Sequence, residues 1–113
     1  MGVKVDRLGI LSLALKEQHD EGPLAALISL DRMEPHEMPD GLLEELENAA
    51  LTHPSGGIRC SAAAAMLRIT GVSAFAQMEH RPLILSFHQD PEARRQSIAE
   101  VKRMIAAAAD RRE

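Results

Sequence analysis

Residues 62–67 read Ala-Ala-Ala-Ala-Met-Leu. Four consecutive alanines combine the strongest helix propensity of any residue with almost no side-chain bulk. Such a helix lets neighbours approach closely on more than one side. It is punctuated in front by Thr52-His53-Pro54-Ser55-Gly56-Gly57 and behind by Gly71. The pattern predicts a turn over 52–57, a helix over 58–70 and a left-handed stop at Gly71. Whatever the chain folds into has to place this helix between others.

The rest of the composition agrees. The 113 residues hold no Trp or Tyr and 2 Phe, so the core must be built from Leu, Ile, Ala and Met. Alanine and leucine favour helix, whereas the aromatic and β-branched residues that mark strands are sparse. Strict alternation of apolar and polar residues is absent. An all-α domain with one core is expected. The single Cys60 leaves no internal disulfide and no cysteine-based zinc site. No run approaches the roughly 20 apolar residues of a membrane span, and the first residues lack the form of a signal peptide. A cytoplasmic location is the simple expectation.

Helical periodicity predicts five or six helices. The first covers about 5–18, with Leu8, Ile10, Leu11, Leu13 and Leu15 in a broad apolar arc. Gly22-Pro23 then breaks the chain, and Pro23 is expected to open a second helix carrying Leu24, Leu27, Ile28 and Leu30. Residues 33–41 form a loop with two prolines. Asp40 is placed to cap a third helix, with Leu42, Leu43, Leu46, Ala49 and Ala50 inward. After the alanine helix, a helical region over 72–88 is expected to break near Arg81, ahead of Pro82. Its run Leu83, Ile84, Leu85 and Phe87 reads as central. Asp90-Pro91-Glu92 is a strong start signal for a last helix, to about 109, with Ile98, Val101, Met104 and Ile105 inward.

Two stretches repeat each other at an offset of 35 residues: Arg59 pairs with Arg94, Ala63 with Ile98, Met66 with Val101 and Ile69 with Met104. At Pro54, Ile58, Arg59, Ala62, Ala63, Leu67, Ile69 and Gly71, and again at Asp90, Pro91, Ala93, Arg94, Ile98 and Val101, the chain resembles the HEAT-like repeat family in its short form. The resemblance covers about residues 40–106. It implies stacked antiparallel helix pairs: a capping helix pair and loop over 1–39, a first repeat over 40–71 and a second over 72–109. His53 stands where the family carries a turn aspartate. Solenoids of this kind offer a concave surface to a partner.

Charge is distributed unevenly. Between residues 20 and 53 stand Asp20, Glu21, Asp31, Glu34, Glu37, Asp40, Glu44, Glu45 and Glu47, against Arg32 alone. The second half ends in Arg94, Arg95, Lys102, Arg103, Arg111 and Arg112. Cys60 beside Arg59 raises the question of a lowered thiol pKa, but nucleophilic catalysis also needs a positioned base, and His53 is seven residues away across a turn. No catalytic residue, metal ligand or cofactor is assigned. The expected function is a non-catalytic module that binds a partner protein with a basic surface, as an inhibitor or immunity protein would, through Glu34, Glu37, Asp40, Glu44, Glu45 and Glu47. A second copy of the chain is a further candidate partner. Two alternatives stand beside this. One is a small metal-binding protein or enzyme using His36, His53 and nearby acids. The other is a nucleic-acid-associated protein using the basic C-terminal helix, which lacks stacking aromatics.

Overall fold

A computed structural model describes residues 7–33, 40–72 and 80–111. The described chain is all helix: α1 (Arg7–Lys16), α2 (Glu21–Asp31), α3 (Leu42–Thr52), α4 (Gly56–Ile69), α5 (Arg81–Leu85) and α6 (Pro91–Arg111), with a 3₁₀ turn at Ser86–His88. The expected all-α domain of five or six helices is what forms. No strand occurs among the described residues. None of the described helices is long and apolar enough to cross a membrane.

Several ends follow the local chemistry expected of them. Asp90 Oδ1 accepts from the Ala93 N–H at 2.9 Å, so the aspartate caps α6. Gly71 has φ 73, and the Val72 N–H reaches the Leu67 carbonyl at 3.0 Å while the Gly71 N–H reaches Arg68. This is the Schellman arrangement, and it needs a residue that tolerates a left-handed backbone. His53, ahead of Pro54, leaves α3 in an extended conformation, φ −61 and ψ 139, as a residue before proline prefers.

Other ends differ from the sequence reading, each for a local reason. The second helix starts at Glu21, two residues before Pro23. Proline is still harmless there, because the first-turn N–H groups have no helical partner to lose. The third helix begins after Gly41, which has φ 87; Asp40 stands one residue too early to cap it. The alanine helix starts at Gly56 instead of Ile58, because Ser55 Oγ accepts from the Ile58 N–H at 3.4 Å and acts as the cap. Both glycines of the expected turn are therefore the first two helical residues. A helix starts at Arg81, next to Pro82, where the sequence places a break or restart. Residues 73–79, which the same reading made helical, lie outside the described chain.

α4 is the centre of the packing. Ala62 to Leu67 are each at most 1% exposed. Six consecutive residues go fully round a helix of 3.6 residues per turn, so every side of this segment is covered. α2, α3, α5, the 3₁₀ turn and α6 all pack on it. The helices pair and stack: α1 lies on α2 and α3 on α4, while α1 also packs on α3 and α2 on α4. α6 crosses both α3 and α4. The molecule measures 47 × 38 × 20 Å, so its thin dimension is that of two helices of about 10 Å each.

Leu11, Leu15, Leu27, Leu30, Leu42, Leu46, Ile58, Phe87, Ile98 and Val101 complete the core. The broad apolar arc expected for the first helix is divided. Leu11 and Leu15 are buried, but Ile10 is 59% and Leu13 73% exposed. α2 repeats this, with Leu24 and Ile28 exposed at 44% and 52%. Leu85 also faces outward, whereas its neighbours Ile84 and Phe87 are buried. The Leu83–Phe87 run thus turns one of its members to solvent.

Candidate functional site

The acidic residues singled out in the sequence do not form one patch of free charge. Asp40 and Glu44 stand exposed at the start of α3, where the N-terminal end of a helix favours carboxylates. Neither makes an ion pair among the described residues. Glu45 turns toward α1: it accepts from Ser12 Oγ at 2.8 Å and lies 4.0 Å from Lys16 Nζ. Glu47 pairs with Lys102 of α6 at 3.1 Å. Glu34, Glu37 and His36 lie outside the described residues. Two of the acids therefore hold helices together, and two project freely.

The basic end is largely self-contained as well. Arg95 pairs with Glu92, and Arg103 with Glu100, each three residues apart on α6. The hydrogen bond from Arg103 draws the Glu100 carboxyl below its ordinary value. Lys102 is taken by Glu47. Arg94 turns inward, and its Nη1 donates to the Leu51 carbonyl at 2.7 Å. Its buried Nε has no partner. A depression of about 370 Å³ beside it is lined by Leu51, Thr52, Pro91, Arg94 and Arg95.

The turn between α3 and α4 gathers His53, Arg59 and Cys60. His53 is 3% exposed. Its Nδ1 accepts from the Ser55 N–H at 3.0 Å, which places the ring proton on Nε2, and Nε2 donates to the Glu17 carbonyl at 2.7 Å. Both ring nitrogens are occupied, so this histidine has no lone pair free for a metal or for proton abstraction. Arg59 Nε donates to the Phe87 carbonyl at 2.8 Å, and its Nη1 to those of His53 and Pro54 at 2.6 and 3.2 Å. Burial, and then the charge of Arg94, pull Arg59 below its ordinary value. The two arginines at equivalent repeat positions thus share one kind of task. Each binds carbonyls around the end of α3, where the helix leaves acceptors unsatisfied. No aspartate takes part in either set of bonds.

Cys60 is 8% exposed. Burial pushes its thiol up, and Arg59 counters this only in part. That is the opposite of an activated nucleophile. Among the described residues no group of three His, Cys, Asp or Glu side chains is placed to hold a metal ion. A cleft between α1 and α3, lined by Leu15, Lys16, Glu45, Asn48, Ala49, Thr52, His53 and Pro54, holds about 90 Å³, well below the roughly 300 Å³ at which ligand pockets begin.

The sequence reading missed the structural roles of His53 and Ser55. Ser55, three residues before Ile58, carried a usable capping signal. The partner of His53, Glu17, is 36 residues away in sequence, and nothing local announces it. No family model, curated protein or solved structure matches the chain.

Proposed function

We propose that this chain is a non-catalytic, HEAT-like helical module that binds a partner protein with a basic surface through the acidic edge at the start of α3. The observation that carries this is the exposure of Asp40 and Glu44 without ion-pair partners among the described residues. In the sequence they follow Glu34 and Glu37. The neutral, hydrogen-bonded His53 and the buried thiol of Cys60 fit a scaffold better than a reaction centre. Stacking of α1 on α3 and α2 on α4 fits the repeat reading. In its sharpest form the partner is a basic active site and the chain its inhibitor, as in an immunity protein.

Glu45 and Glu47 are poor positions for testing this. Their reversal would set lysine against Lys16 and Lys102, and would disturb the packing of α1 and α6 on α3. Asp40→Lys with Glu44→Lys is the cleaner variant. Immobilised protein is exposed to lysate of its native host at low salt. The expected result is a retained protein with a basic surface, released as salt rises through the screening range and absent from the doubly reversed protein. Identical proteins retained by both versions would overturn the acidic-edge reading.

A further inference from the structure

The fold uses one side of the Arg94 guanidinium. Nη1 donates to the Leu51 carbonyl at the end of α3. Nη2 makes no hydrogen bond among the described residues, and Nε is buried and has no partner. Nε–H and the adjacent N–H of Nη2 point the same way in a planar guanidinium. Together they form the fork that takes both oxygens of a carboxylate. A buried N–H without an acceptor is costly. In a native fold such a group calls for a partner of its own.

No carboxylate of the protein answers this fork: the ion pairs among the described residues do not include Arg94. Arg59, which bonds carbonyls only, is close enough for the charge of Arg94 to help pull it below its ordinary value. Two part-buried cations without a counter-charge make this end of α3 favourable to an anion.

Arg94 lines the depression of about 370 Å³ together with Leu51, Thr52, Pro91 and Arg95. That volume lies within the range of small-ligand pockets, which begin near 300 Å³. Leu51 and Pro91 give it an apolar side. Arg95 adds a cation whose exposed pairing with Glu92 holds it only weakly. An apolar wall beside a fixed cationic fork suits an organic acid. We propose that this depression binds a small aliphatic carboxylate, with the carboxylate on the Nε–Nη2 side of Arg94 and the hydrocarbon on Leu51 and Pro91. Nη2 is the donor met first, and a small rotation of the guanidinium brings the buried Nε to the second oxygen. Inorganic phosphate would suit the fork but leave Leu51 and Pro91 uncovered. The site lies where α6 meets the end of α3 and uses no residue of the acidic edge.

The test uses the full chain labelled with ¹⁵N, and sodium hexanoate as the probe, at an ionic strength held constant with sodium chloride. The side-chain Nε–H resonance of Arg94 should move in a saturable way, with a Kd of about 1–10 mM. Acetate, which lacks the longer hydrocarbon, should bind several-fold more weakly, and inorganic phosphate no better than acetate. Arg94→Lys keeps the charge and loses the fork, so the affinity for hexanoate should fall about tenfold or more. Because Arg94 also holds the Leu51 carbonyl, a second variant spares that bond. Arg95→Gln, at an exposed position, should keep the helical circular dichroism and bind hexanoate about threefold more weakly. An Arg94 Nε resonance unmoved at about 50 mM hexanoate overturns the proposal. So does full affinity in Arg95→Gln or in folded Arg94→Lys. Tighter binding of phosphate than of hexanoate overturns the choice of an organic acid.

Discussion

The ring of His53 joins the end of α1 to the turn ahead of α4, through the Glu17 carbonyl and the Ser55 N–H. A buried side chain that satisfies two backbone groups is costly to remove, because both groups lose their partner and neither regains water fully. His53→Ala should lower stability by about 2–3 kcal/mol, read as a lower urea midpoint at unchanged slope. A change below about 0.5 kcal/mol would show that those bonds carry little weight. Cys60 gives a second test at the same scale. Its folded thiol titrates above the ordinary value because of burial. The stability this represents is fully present below the unfolded thiol value of about 8.5 and is lost as pH rises through the folded one. The native protein should therefore react slowly with a thiol reagent at neutral pH and quickly in denaturant. Its stability should fall more steeply above pH 9 than that of Cys60→Ala. Equal alkylation rates in native and denatured protein would remove this account.

Among the helices, α4 shows which part of an element can be read locally. Its alanines, its glycine stop and its place between other helices follow from residues next to one another in the chain. Its start was misplaced because Gly56-Gly57 look like a turn, whereas Ser55 supplies the cap that draws them into the helix. The inward side of α1 was only half legible for a different reason. Periodicity reports that Ile10 and Leu13 are apolar, but which apolar residues meet the core depends on where α2 and α3 lie. Three substitutions rank the forces on α4. Ser55→Ala should cost about 1 kcal/mol through the lost cap. Gly71→Ala forces a Cβ into a left-handed backbone and should cost about 1–2 kcal/mol. Ala63→Leu adds bulk at a position with no exposed surface and should cost at least as much as either. Thermal midpoints of the three variants check the order. If Ala63→Leu is the mildest, the close approach of neighbouring helices to α4 is wrong.

At the scale of the whole molecule, the all-α class and the central helix were legible, whereas the candidate site was not. The pairing of Glu45 with Ser12 and Lys16, and of Glu47 with Lys102, spans more than 28 residues in each case. A charge count along the chain cannot tell a carboxylate that faces a partner from one that ties two helices. The stacking also sets a gradient of stability. α4 is covered on every side by α2, α3, α5 and α6, so its amides can exchange only when the stack comes apart. α1 packs on two neighbours and leaves Ile10 and Leu13 in water, so it can open while the rest stays folded. Hydrogen exchange at low protein concentration should therefore be slowest in 62–67 and faster in α1. Exchange in α1 as slow as in α4 would mean that α1 opens only when the whole fold does.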